Sequence, residues 1–399
     1  MQANYVLPLA VSDLNVWKLF DKKDENIYCM GSLERDKYIQ LNESSLEAVK
    51  WAVAYFDGSH TLQEIKDLLM TEKGINLNVE QLYDYLCKAD LISNVNDKTL
   101  VEKQEMDYLS ITLKEFNLKP LYPLFRFVNK YLLKYLLAVS TLIIVISIGF
   151  FITNINTFIR GSNYLIANSY EMSFLTTLAI FVLSIGIHEF AHSIAGYYYG
   201  LKPAKMVIAL YMLTPMFYLK IPGIYTIKAK QRVIVWSAGV YINLLIASVC
   251  VIIATFAENE LKAFLLLTAI TNLSLILANL SPLLPLDGYF IVSTLLKRPN
   301  LRKGSYKEFK KWALGKENNF RGLSILYFTL STSFIVGIIA LQVRWAVVQV
   351  INGIQLNYSV FEILYQFQLI FLIIGIMLVK KVLEIIMKHI ARRKKLNQH

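Results

Sequence analysis

The stretch Ser184-Ile185-Gly186-Ile187-His188-Glu189-Phe190-Ala191-His192-Ser193 sets two histidines and one glutamate inside an otherwise uncharged apolar run. At i and i+4 of a helix, His188 and His192 project from one face within reach of a single metal ion, and Glu189 stands beside them as a base. The surrounding run, residues 172–199, is long enough to cross a bilayer. Two surface histidines on an ordinary helix are the alternative, and the setting opposes it, because ionisable groups at membrane depth are costly and mark function by default. The stretch therefore predicts a spanning helix and a zinc site together.

Of the 399 residues, 55% are hydrophobic and 18% charged, with a mean hydropathy of +0.45, more apolar surface than a water-soluble core absorbs. Uncharged runs at 135–152, 233–256, 263–286, 322–343 and 363–379 join 172–199 as six expected spans. Residues 206–219 are apolar but too short to span, and Lys220, Pro222 and Gly223 follow them. They read as a re-entrant or hairpin segment that supplies a strand edge or gate for substrate. The expected fold is mainly α: a polytopic membrane protein of about six transmembrane helices and a re-entrant segment, with a small N-terminal α+β part.

A formal charge of +12 raises the question of nucleic acid, but the basic residues concentrate beside apolar spans, which points to a membrane surface and to no nucleic acid. The loop 297–321 carries nine Lys or Arg against two Glu, and the tail from Lys380 carries seven against one. Both are expected in the cytoplasm, whereas 153–171 and 257–262, each with one basic residue, are expected outside. Residues 1–24 contain charges and no long apolar core, so no signal peptide is expected there. Together these predict a multi-pass protein of the cell membrane with both termini cytoplasmic. Cys29, Cys87 and Cys250 are distant from one another and odd in number, as reduced structural thiols would be.

Residues 25–105 read as strands at 26–30 and 37–41 followed by three helices. Ser44 with Glu47, Thr61 with Glu64, and Asn78 with Gln81 mark the helix starts. Inward positions are Leu46, Val49 and Val53 in the first, Leu62 and Ile65 in the second, and Val79, Leu82 and Leu86 in the third. A hairpin plus three helices is a winged-helix-like plan. Residues 109–131 mix prolines, aromatics and basic residues and read as a linker on the membrane interface. The predicted division is 1–105, a cytosolic winged-helix-like part; 106–131, a juxtamembrane linker; and 132–399, a transmembrane part with its core at 172–297.

The stretch from Tyr38-Ile39-Gln40-Leu41 through Ala54-Tyr55-Phe56-Asp57-Gly58-Ser59-His60-Thr61-Leu62-Gln63-Glu64-Ile65 resembles the winged-helix precursor-peptide recognition domains of ribosomal-peptide maturation systems. That resemblance implies a leader peptide added as a strand to the hairpin edge. A plain helical adaptor and a winged-helix nucleic-acid binder are the alternatives for this part. His60 is read as a turn residue without chemistry.

A catalytic zinc takes three protein ligands and leaves one position for water. His60, His389 and His399 are not placed to serve, so the third donor is sought among carboxylates. Asp287, in Asn279-Leu280-Ser281-Pro282-Leu283-Leu284-Pro285-Leu286-Asp287-Gly288, ends an uncharged run level with the histidines, and two prolines break the helix before it. An Asp-Gly turn at the membrane surface is its other reading.

His188-Glu189-Phe190-Ala191-His192, Leu286-Asp287-Gly288 and the intervening Gly239-Val240-Tyr241-Ile242-Asn243 resemble the three signatures of the site-2 protease family of intramembrane zinc metalloproteases, with Val240 where that family usually has Pro. The resemblance implies zinc held by His188, His192 and Asp287, and Glu189 as general base and acid. Asn243, and after it Asn279, are expected to hydrogen-bond the substrate backbone or the oxyanion, with interhelical bonding the alternative for Asn243. The expected activity is cleavage of a small ribosomal peptide precursor or membrane-embedded peptide, with the bilayer and an exporter as partners. The alternatives are cleavage of a membrane-anchored regulator, such as an anti-sigma factor, and a non-catalytic immunity or export protein with a protease-like core. A non-haem iron hydroxylase or desaturase ranks last, because it needs many more histidines than the two in the spans.

Overall fold

The computed structural model describes residues 7–21, 25–94, 110–211, 214–315 and 322–355. They group into two compact units, one ending at Leu301 and one beginning at Arg302.

The first unit opens with an antiparallel sheet of β1 (Leu14–Phe20), β2 (Ile27–Ser32) and β3 (Lys37–Asn42), in that order, followed by α1 (Glu43–Ala54), α2 (Leu62–Lys73) and α3 (Val79–Lys88). Helix α2 starts at the expected capping box: Thr61 accepts the Glu64 backbone N–H and the Glu64 carboxylate takes that of Thr61. Gly74, at φ 65°, ends it in the left-handed region that glycine enters without strain. Asn78 likewise caps α3 by accepting the Gln81 N–H. Helix α1 departs from expectation: it begins at Glu43, and Ser44 does not cap it, because the Ser44 hydroxyl and N–H both donate to the Glu25 carboxylate at 2.7 and 3.0 Å. Leu46, Val49, Ile65, Leu69 and Leu86 close a core against Met30, Ile39 and Leu41 of the sheet.

Among the described residues, four helices are long and apolar enough to cross a membrane. They are the continuous helical stretch Lys119–Thr153, which contains α4 (Tyr122–Phe127) and α5 (Leu133–Thr153); α6 (Tyr170–Tyr198); α7 (Ala229–Ala254); and α8 (Asn259–Leu280). The six expected spans are thus four among the described residues. The run 322–343 falls in α10 (Gly322–Gln355) of the second unit, which is not among those four, and the run 363–379 and the basic tail lie outside the described residues. Helix α8 stops at Leu280, before the expected boundary, because Pro282 and Pro285 cannot continue it; α9 (Asp287–Leu295) starts afresh.

Residues 206–219 form a hairpin of β5 (Lys205–Tyr211) and β6 (Thr214–Lys220) and not a re-entrant helix. A further strand, β4 (Ser110–Asn117), pairs antiparallel with β5, so part of the expected interfacial linker belongs to a second sheet ordered β4-β5-β6.

Helix α6 buries Ile180, Ser184, His188, His192 and Gly196 at four-residue spacing, while Leu175, Leu178, Leu183 and Ile187 are exposed. Small and polar residues inside with aliphatics outside is the arrangement of a helix whose outer solvent is lipid. Its buried face packs on α7 and α8, and α9 lies against α7 through the stacked rings of Trp236 and Phe290, 5.0 Å between centroids.

The N-terminal sheet rests on residues 221–232. Arg232 of α7 is 1% exposed and donates to the carbonyls of Leu19 at 2.8 Å and Ile227 at 3.1 Å, with its guanidinium over the Phe20 ring. The Gly223 N–H donates to the Tyr38 hydroxyl at 3.0 Å.

Candidate metal centre

The four-residue spacing on α6 carries His188 and His192 into the buried seam with α7, their ring centroids 4.7 Å apart. Both imidazoles meet α7. The Nδ1 of His192 lies 2.7 Å from the Val235 carbonyl oxygen, so in the neutral ring that nitrogen carries the proton and Nε2 keeps its lone pair. The Nδ1 of His188 lies 3.1 Å from the side-chain amide of Asn243. Gly239 fits between these two contacts, where a β-carbon would run into the His188 ring.

Asp287 arrives from the other side as the first residue of α9. Gly288 permits this, since a β-carbon there would strike the Leu280 carbonyl at the end of α8. Asp287 Oδ2 stands 3.0 Å from His188 Nε2 and 3.2 Å from His192 Nε2, and the two Nε2 atoms are 3.1 Å apart. Zinc bonds of about 2.0–2.2 Å set tetrahedral donors about 3.3 Å from one another. The three atoms therefore have the chemistry and nearly the spacing of a zinc donor set, and two imidazole nitrogens facing each other beside a carboxylate are what a cation between them would balance.

Glu189 completes the arrangement. A carboxylate oxygen of Glu189 and one nitrogen from each histidine lie within 4.8 Å of one another, so His188, Glu189 and His192 also form a potential metal cluster. Asp287 makes direct contact with both Nε2 atoms, and Glu189 is left beside them, on a helix that packs against β6. Behind the motif, Phe190 packs on buried Phe125 of α4, 5.2 Å between centroids, which holds this turn of α6 in place.

The structure brings His188, Glu189, His192 and Asp287 together. Asn243 is fully buried behind His188, so it has no surface to offer a substrate, and its contact across helices is with the histidine itself. Asn279 is half-buried and its side-chain N–H donates to Leu275 one turn back on α8. The Val235 carbonyl was not foreseen, because backbone groups leave no residue-type signal.

No family model matches the chain, and no solved structure matches it. Among curated proteins, 120 residues are 29% identical to "Putative peptide zinc metalloprotease protein YydH" of Bacillus subtilis (strain 168). The match covers 29% of this chain and 46% of that relative. This likeness suggests a protease role, and with the His-Glu-His cluster it is consistent with zinc.

Proposed function

We propose that this chain is an intramembrane zinc endopeptidase of the site-2 type, with zinc held by His188, His192 and Asp287. The observation that carries the reading is the convergence of His188 Nε2, His192 Nε2 and Asp287 Oδ2 within 3.0–3.2 Å of one another, with both histidines on a helix apolar enough to cross a membrane. Bound there, zinc lowers the pKa of water toward neutrality and polarises a carbonyl oxygen. Glu189 takes the proton from the attacking water as the new C–O bond forms, and delivers it to the departing amine as the C–N bond breaks. Strand β6, at the edge of its sheet and packed against α6, offers an edge along which an extended peptide lies near the base.

The substrate we assign is a small ribosomally made peptide precursor or membrane-embedded peptide. The relative's printed name, a peptide zinc metalloprotease, supports that class. The N-terminal sheet and helices are assigned to recruiting the precursor in the winged-helix manner, from the cytoplasmic side, with an exporter receiving the product. Residues 1–105 then form the recognition domain, 106–131 the connection, and 132–399 the protease domain.

Replacing Glu189 with Gln in cells that make candidate peptides, and following precursor length by mass spectrometry, tests the reading. Loss of the shortened product is expected; processing that continues unchanged refutes it. Selective loss of one peptide on deletion of residues 1–105 is the expected mark of recruitment, and unaltered cleavage and peptide selection sink it.

A further inference from the structure

Asn243 sits at the centre of the α6–α7 seam, fully buried, with its amide against His188 Nδ1 and its Oδ1 without any hydrogen-bond partner. A buried amide oxygen left unpaired costs about 1–3 kcal/mol, so it calls for a physical explanation. With the amide nitrogen turned to the ring, His188 Nδ1 has to accept, and the neutral ring then carries its proton on Nε2. That proton would point at His192 Nε2 and Asp287 Oδ2, where a metal ligand needs a lone pair. The two ends of an amide have the same shape, and a half-turn about the Cβ–Cγ axis exchanges them. After that half-turn Oδ1 accepts from His188 Nδ1–H and Nε2 presents its lone pair to the site, while the amide nitrogen takes the position in which Oδ1 had no partner.

One further observation agrees. The other histidine is already held this way by the Val235 carbonyl. Positions 235, 239 and 243 make one buried stripe on α7 and lie opposite 192 and 188 on α6. Resting on the metal reading of the site, we propose that Asn243 is a positioning residue whose side-chain oxygen holds His188 in its Nδ1–H tautomer, so that α7 sets the tautomer of both histidines. Gly239 and Asn243 then act as one device: the glycine admits the ring and the asparagine, one turn on, orients it. Supporting partners of this kind typically change metal affinity by about 10–100-fold when removed.

The test uses the purified full-length protein in detergent and zinc alone, titrated against a competing chelator. Asn243→Leu keeps the volume and removes the acceptor, and is expected to weaken zinc binding by about 10-fold or more. Asn243→Asp restores an acceptor for Nδ1–H and is expected to recover affinity to within a few-fold of the parent. Equal affinity in Asn243→Leu and parent overturns the proposal, and so does an Asp variant as weak as the Leu variant. Should Asn243→Leu fail to fold, judged by metal-free melting, the histidine 15N spectrum of the zinc-loaded parent decides: a protonated Nδ1 and metal-bound Nε2 on His188 support the proposal, and the reverse overturns it. A parent that binds no zinc would instead remove the metal reading itself, an outcome distinct from a zinc-binding parent indifferent to residue 243.

Discussion

Asp287 Oδ2 lies 3.0 Å from His188 Nε2, although the two residues are 99 positions apart in the chain. Two local events create the contact. The proline-containing break after Leu280 ends α8 and restarts the chain at Asp287, and Gly288 lets that restart press against the α8 terminus. The α9 helix is then fastened to α7 by Trp236 and Phe290, on the helix that also carries Val235 and Asn243. The donor set is therefore a joint product of α6, α7 and α9.

Replacing Asp287 with Ala leaves two imidazoles and no carboxylate. Zinc content, measured by elemental analysis of purified protein, is expected to fall well below one per chain and affinity by more than the 10–100-fold that a supporting partner is worth. Full zinc occupancy in Asp287→Ala would remove Asp287 from the donor set.

Two glycines on the facing helices make an internal comparison. A methyl at Gly239 enters the His188 ring, whereas a methyl at Gly186 meets nothing within 4 Å. Gly239→Ala is expected to cost about 1–3 kcal/mol through overpacking and to weaken zinc binding. Gly186→Ala is expected to leave both unchanged or to raise stability slightly. Equal melting temperatures and zinc affinities for the two variants would contradict the packing described at His188.

Arg232 ties the N-terminal strand β1 to the start of α7 through carbonyl acceptors. Arg232→Met keeps much of the volume but strands buried carbonyls, each worth about 1–3 kcal/mol. Limited proteolysis is expected to release the N-terminal part faster than in the parent. Identical digestion rates would show that this contact does not hold the two together.

Burial holds the Asp36 carboxyl above the usual carboxylate range, against the Gly223 N–H and Tyr38 that favour its charged form. A raised acid contributes its stability below the unfolded-state pKa and loses it as pH rises through the folded one, so at neutral pH the charged group is a cost. Asp36→Asn removes that cost and suits the left-handed backbone there, φ 51°. Its melting temperature at pH 7 is expected to equal or exceed the parent's, with the gap closing as pH falls below the carboxylate range. A variant less stable at pH 7 than at pH 4, relative to the parent, would reverse the sign.

The parts legible in the sequence are those where one local pattern admits one solution. An uncharged run such as 135–152 can satisfy its backbone in lipid only as a helix, and α5 extends just beyond it at each end. His188, Glu189 and His192 were legible because helical spacing alone brings them together. Strand β4 was not: Ser110–Asn117 contains Lys114 and Glu115 amid a weak alternation, and its partner β5 begins at Lys205, far along the chain. Strand β1 is interrupted by Lys18 in the same way, although Leu19 and Phe20 are buried. Ser44 looked like a helix cap because the competing carboxylate, Glu25, is brought to it by folding. The contact of Asn243 with His188 required knowing which face of α7 turns toward α6, and α7 is apolar enough all round that its sequence marks no face.

On the proposed reading, Glu189 drives hydrolysis of a peptide bond beside zinc held by His188, His192 and Asp287. Membranes bearing the full-length protein, incubated with candidate precursor peptides in 18O-labelled water, test it by mass spectrometry. The parent is expected to yield a shortened peptide with one 18O at its new carboxyl terminus, and Glu189→Gln, with zinc still bound, to yield none. Equal labelled product from the two proteins would contradict the account.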